Sequence, residues 1–210
     1  PSHSIHLKPL AEDALSLPVR TGKARVIGIE PASLVTKSLV REVKTDDAGC
    51  FQSALNPGLT KIAVIERHKR TGKLGIGILE GYGLTGGAIA TTISHDSHNI
   101  VVAGDNDPDM LLAVRELADM GGGIVSVHGG SIRRLPLPIA GLMTSADPQE
   151  VNAVLHDMLV AARAELGIPE DVEPFMTLSF MALPVIPELK LTARGLFNVN
   201  TFSFVGVEAD

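Results

Sequence analysis

Apolar and polar positions recur with strand-like spacing through the first half of the chain and with helix-like spacing at two later places. Ala24–Glu30 (ARVIGIE), Leu34–Val43, Lys61–Arg67 (KIAVIER) and Gly75–Glu80 (GIGILE) are short runs, most of them rich in β-branched residues. Proline, glycine or a turn cluster closes most of them, so they are predicted strands. Gly87–Ile93 and Ile100–Gly104 predict two further buried strands on either side of Ser94-His95-Asp96-Ser97-His98-Asn99. Apolar residues at 111, 114, 117 and 118 predict a helix over Met110–Met120, with Asp107 as its N-cap, Pro108 at its first position and Gly121-Gly122-Gly123 as its stop. Ile124–His128 and Ser131–Leu135 predict a hairpin across Gly129-Gly130. Asp147-Pro148 opens a second helix with Glu150 in its first turn, a buried face of Val151, Val154, Leu155, Met158, Ala162 and Leu166, and a stop at Gly167 and Pro169. His156 lies off that stripe, on the surface.

The remaining segments are less regular. Phe175–Leu183 is apolar with no clear period, Leu189–Leu191 and Gly195–Phe197 read as short connecting pieces, and Phe202–Val207 as a last strand. Residues 1–22, punctuated by Pro9, Pro18 and Gly22, read as an extended arm or linker with one helical turn near Glu12–Leu15. That leaves 23–210 as the domain. The order of elements lacks strict strand–helix alternation. It predicts an α+β layered domain with a mixed, largely antiparallel sheet, two or three helices packed on it and no TIM barrel in this chain.

Composition narrows the picture. Only 3% of residues are aromatic against 45% hydrophobic overall, so the core is aliphatic. A formal charge of −6 argues against a nucleic-acid binder. The densest basic group, Arg67-His68-Lys69-Arg70 with Lys73, is expected in a solvated loop. Cys50, the single cysteine, excludes an intramolecular disulfide and fits a reducing, cytoplasmic setting. No apolar run reaches the ~18 residues of a membrane span. The opening Pro-Ser-His-Ser-Ile-His, with no Met, reads as the middle of a longer polypeptide.

Candidate chemistry concentrates in Ser94–Asn99, which packs two imidazoles, a carboxylate, two hydroxyls and an amide between two apolar strands. So many polar groups at a strand junction are costly unless each finds a partner. A serine hydrolase is disfavoured, because His95 and Asp96 diverge in an extended backbone and no G-x-S-x-G turn is present. Metal ligation by His95, Asp96 and His98 requires a turn in which the imidazoles converge. A buried polar junction and a substrate-facing or interface-facing loop are the other readings. Gly81-Tyr82-Gly83-Leu84-Thr85-Gly86 matches a dinucleotide fingerprint formally, but strand-like residues follow it, so it reads as a glycine-rich turn.

Several stretches taken together resemble the C-terminal part of bacterial adenine deaminases. They are Glu66-Arg67-His68, Thr71–Gly77, Gly86–Ala90, Ser94–Ile100, Gly121–Gly123, Leu135–Met143, Pro174–Phe180 and Pro184–Thr192, and the match runs in order from about residue 24 to the end. The resemblance implies an amidohydrolase-type enzyme with a metal-binding (β/α)₈ barrel, a small β-sandwich and this extra domain. It implies hydrolysis of adenine to hypoxanthine and ammonia by a metal-bound hydroxide, with a pair of manganese or iron ions. The barrel's ligand motifs have no counterpart here, His3-x-His6 being a poor candidate, so the metal ligands are expected outside this chain. The chain is then expected to be inactive alone. Its partners are expected to be its own N-terminal barrel, adenine and further copies in a homo-oligomer, with no nucleic acid and no membrane. Candidate catalytic residues are His95, Asp96 and His98, and candidate substrate-binding residues Ser94, His95, His98 and Asn99. The other reading is a structural or oligomerisation domain whose interface is formed by 135–143 and 184–191.

Overall fold

The structure is a computed structural model that describes residues 4–209, so His3 lies outside the described residues. β1 (Lys23–Ile29), β2 (Thr36–Glu42), β3 (Leu59–Ile65), β4 (Leu74–Glu80), β5 (Gly87–Thr91), β6 (Ile100–Gly104), β7 (Gly123–His128) and β8 (Ser131–Pro136) form one sheet. Its order is β2-β1-β4-β3-β6-β5-β7-β8, and β1 with β4 is its one parallel pair among the described residues. A small antiparallel sheet holds β9 (Leu189–Thr192), β10 (Gly195–Asn198) and β11 (Ser203–Val205). The helices are α1 (Asp107–Asp119), α2 (Pro148–Ala164) and the short, seven-residue α3 (Pro174–Phe180). The chain is therefore α+β with a mixed, largely antiparallel sheet and no barrel.

Period-two patterning explains the layers. Ile62 and Val64 on β3 pack with Met158 and Ala162 of α2, Leu178 of α3 and Leu189 of β9. Ala63 and Ile65, on the opposite face, pack with Met110, Val114 and Leu117 of α1. Both faces of the central strands are covered, which is why β5 and β6 read as unbroken apolar runs. Leu15 of the arm is fully buried in the α1 layer. Strand β5 approaches β7 so closely that a Cβ on Gly87 would lie 1.9 Å from the Val127 carbonyl oxygen.

Four local expectations need correction. Asn106, not Asp107, caps α1, its side chain accepting from the Asp109 N–H. Asp107 instead meets the buried Lys61 ammonium at 2.5 Å, and Lys61 also donates to the Leu15 carbonyl. Val154 is 36% exposed, because only the later turns of α2 lie flat on the sheet; Ala161 takes a place in the buried face. The unperiodic stretch after Glu173 forms α3, capped by the Glu173 side chain on the Met176 N–H. The two pieces around 190 and 196 are not mere connections but the β9–β10 hairpin.

Lys190 on β9 is fully buried, and its Nζ donates to the Leu34 carbonyl oxygen at 2.8 Å. Burial pulls its pKa from 10.5 down to about 8. A base with a lowered folded pKa binds fewer protons than the unfolded chain, so this group adds stability as pH rises from about 8 to 10.5. Lys190→Met is expected to stabilise the chain by ~1–3 kcal/mol at pH 7 and to flatten that rise. Urea unfolding at pH 7 and pH 10 checks it; a less stable variant at pH 7 would refute it.

Candidate functional site

The connection from β5 to β6 lies at one end of the central sheet, and the sheet register decides its neighbours. Ile65 pairs with Ile100, so two residues further on Arg67 stands beside His98. Thr91 pairs with Ile124, which sets Thr92 against the Gly121–Gly123 turn. The Thr92 Oγ1 donates to the Gly141 carbonyl at 2.5 Å and accepts from the Gly123 N–H at 2.8 Å. The arm, the segment after β3, the Ser94–Asn99 loop and the proline-broken 135–143 segment thus meet at one place.

Arg67 ties them together. It was expected in a solvated loop, yet it is 1% exposed. Its Nε donates to the His98 carbonyl, Nη1 to the Ser4 carbonyl and hydroxyl at 3.3 and 3.1 Å, and Nη2 to the Ala140 carbonyl at 3.0 Å. Gly141, with φ +73°, lets the backbone pass against the guanidinium, since a Cβ there would sit 3.0 Å from Nη1. The basic neighbours stay in solvent, as the pattern predicts: His68, Lys69 and Arg70 are exposed. Burial raises the Glu66 carboxyl, but bonds from the Thr71 N–H and hydroxyl and the His68 and Lys69 N–H groups outweigh it and hold it down at about 2. It therefore fixes the turn that follows Arg67.

Within the loop the backbone turns over His95–Ser97 rather than staying extended. The His98 N–H closes it on the Ser94 carbonyl at 2.6 Å, and the His95 N–H reaches the Ser179 carbonyl at 3.1 Å. His68 Nε2 lies 2.8 Å from the Ser97 carbonyl. The His95 ring packs on Phe180, centroids 4.5 Å apart, and faces a largely apolar cleft of about 450 Å³ bordered by Ile93, Phe175 and Met176. Asp96, Ser97 and Asn99 border a second cleft of about 770 Å³ on the other side. The loop is thus a polar ridge between two clefts.

Three buried polar atoms of this ridge have no partner among the described residues: Ser94 Oγ, His98 Nδ1 and Asn99 Oδ1. Burial lowers the His98 pKa; the His95 and Arg67 charges add to this and Asp96 opposes it. His98 is therefore a neutral imidazole at pH 7. Ser94 Oγ is bonded to neither histidine, so the loop holds no nucleophile–base pair among the described residues. The imidazole centroids of His95 and His98 are 6.1 Å apart, and no group of three or more His, Cys, Asp or Glu suited to a metal ion occurs among the described residues. These side chains do not fit a metal pair. The glycine run 81–87 is a turn into a strand, with the Asp105 carboxylate bonded to the Gly86 and Gly87 N–H groups at 2.5 and 3.0 Å.

Fold and site define an α+β domain with a polar loop between two clefts at one end of its sheet. The model of the adenine deaminase C-terminal domain family matches residues 33–203, and the chain belongs to that family. It is 58% identical over 205 residues to the adenine deaminase of Nitratidesulfovibrio vulgaris, covering 97% of this chain and 35% of that protein. To adenine deaminase 2 of Carboxydothermus hydrogenoformans it is 47% identical over 206 residues, covering 98% of this chain and 36% of the relative. The Clostridium acetobutylicum adenine deaminase gives 44% over 205 residues, with 97% and 36% covered. The chain therefore spans about 35% of the length of these relatives.

Proposed function

We propose that this domain completes the purine site of an adenine deaminase, the Ser94–Asn99 ridge closing over the mouth of the catalytic domain that precedes it in the full-length enzyme. The observation that carries the reading is the set of three orphaned atoms in one six-residue loop. A buried polar atom without a partner costs free energy in the free domain, and a purine or the facing domain supplies the missing partners on assembly. His98 offers a neutral ring nitrogen, Asn99 an amide, Ser94 a hydroxyl and Asp96 an exposed carboxylate. These suit the ring nitrogens and amino group of adenine. Arg67 is a positioning residue, because it holds the loop through the His98 carbonyl.

The overall reaction is hydrolysis of adenine to hypoxanthine and ammonia. The metal pair, manganese or iron, is held by the catalytic domain, and no step is assigned to metal in this lobe. The setting is cytoplasmic; no helix among the described residues is long and apolar enough to cross a membrane. The 210-residue chain supplied with manganese is expected to release no ammonia from adenine. Robust turnover would overturn this. In the full-length enzyme, His95→Ala is expected to lower kcat/KM ~10-fold with little change in melting midpoint.

A second reading, an oligomerisation domain, is favoured by the exposed apolar residues of the two proline-broken segments, Met143 at 57% and Val185 at 66%. It predicts a concentration-stable dimer of the isolated chain in light scattering, where the capping role predicts a monomer.

A further inference from the structure

The arm is built in two unequal halves. Leu15, Leu17 and Val19 are buried, and the Leu15 carbonyl accepts from the buried Lys61 ammonium at 3.0 Å, so residues 15–19 belong to the core. Ile5, Leu7 and Leu10 are only half-buried against the α1 layer. A cleft of about 320 Å³ lies between Leu7–Leu10 and Leu111, Val114 and Ala118 of α1. The rest of what holds this first half is polar. The His6 N–H donates to the Arg67 carbonyl at 2.7 Å, the Arg70 N–H donates to the His6 carbonyl at 3.2 Å, and Ser4 accepts from Arg67 Nη1 through its carbonyl and hydroxyl. A segment with little apolar burial and few bonds opens at low cost while the core stays closed.

We propose that residues 4–10 are a strap whose docking sets the Ser94–Asn99 ridge, with Ser4 and His6 as positioning residues that act on it through Arg67. The guanidinium divides its donors by edge. Nη1 serves the strap, Nε the ridge at the His98 carbonyl, and Nη2 the Ala140 carbonyl. A rigid planar fork cannot turn to follow one partner and keep the other two. With the strap lifted, Nη1 loses both acceptors inside a buried pocket, and a half-paired buried cation is costly. The side chain then swings toward water and Nε leaves the His98 carbonyl. The ridge keeps its own bonds, the His98 N–H on Ser94 and the His95 N–H on Ser179, but loses the tie to the sheet. The family is a C-terminal domain and the chain spans about 35% of its relatives, so in the full-length enzyme the strap is the stretch next to the catalytic domain. A shift of that domain is thus passed to the ridge across one side chain. The effect on turnover rests on the reading that the ridge closes over the purine site.

The experiment is amide hydrogen exchange on the 210-residue chain and its variants. His6→Pro removes one N–H donor and alters neither the Arg67 side chain nor the ridge. It is expected to speed exchange of the His98 amide ~10-fold and to leave the amides of β3 and β6 within about twofold. Ser4→Ala is expected to give ~3-fold at the same amide, and Ser4→Thr, which keeps the hydroxyl, almost none. With Arg67→Met already present, His6→Pro is expected to add less than about twofold, because the relay is gone. A His98 amide unmoved by His6→Pro, the same gain with Arg67→Met present, or a gain shared equally by β3 and β6 would each overturn the proposal. In the full-length enzyme, His6→Pro is expected to raise KM for adenine ~5-fold with kcat nearly unchanged. Faster exchange at His98 with adenine kinetics unmoved would leave the strap standing and remove the capping role. A quiet His98 amide with turnover lowered by His95→Ala would leave the capping role standing, and the strap falls.

Discussion

Arg67→Met should lower the stability of the chain by about 3 kcal/mol, a fall of roughly 10 °C in melting midpoint for a domain of this size. The side chain has four acceptors on three separate segments: His98 O, Ser4 O and Oγ, and Ala140 O. A hydrogen bond from a charged donor is worth ~1.5–3 kcal/mol, so the gross loss exceeds the net figure. The difference is the desolvation cost of a buried guanidinium, which methionine does not carry. Arg67→Lys is expected to recover little, since an ammonium has neither the length nor the planar spread to serve three segments at once. Exchange protection should fall together at 4–6, 97–100 and 139–142. A methionine variant within about 0.5 kcal/mol of the unaltered chain, with the loop still protected, would sink the idea that Arg67 is the tie.

That residue marks where sequence reasoning stopped. The strands of the large sheet were legible because the central ones are covered on both faces and the outer ones alternate, whereas β9 and β10 were too short to show a pattern. α1 and α2 were legible from period and caps, although Asn106 displaced Asp107 once Lys61 claimed the Asp107 carboxylate. α3 was not, because a seven-residue helix buried along much of its length shows no amphipathic stripe. The Ser94–Asn99 ridge stood out by density of polar groups alone. Arg67 looked like part of a basic surface run because its neighbours are one; what buries it is register, and register is a property of paired strands. A signal was available: extending the antiparallel pairing of KIAVI with IVVAG by two residues sets Arg67 opposite His98. The aromatic cluster was also hidden, since Phe197, Phe202 and Phe204 meet only after the β9–β10–β11 sheet folds back on itself.

His98→Ala in the full-length enzyme is the other large effect, an expected 10- to 100-fold loss in kcat/KM with under about 1 kcal/mol of stability lost. The asymmetry follows from bonding. His98 holds its place through its backbone, the N–H on Ser94 and the carbonyl on Arg67, both of which alanine keeps. The imidazole contributes a buried Nδ1 that has no partner among the described residues, so removing it relieves a small cost. What disappears is the ring nitrogen available to a purine. His98→Asn, whose amide places a polar atom near the Nδ1 position, is expected to regain part of the rate where alanine and leucine do not. The acid limb separates this from mere packing. The His98 pKa is lowered from 6.5 by burial, and the His95, Arg67 and His68 charges outweigh the opposing Asp96. The folded state thus binds fewer protons than the unfolded one, and stability from this group falls as pH drops below 6.5 until the folded pKa is passed. The same protonation turns the acceptor nitrogen into a donor, so kcat/KM should fall on that limb in the unaltered enzyme and lose that component in His98→Ala. An acid limb unchanged by the substitution, with kcat/KM intact, would mean that the ridge positions domains and never meets the purine.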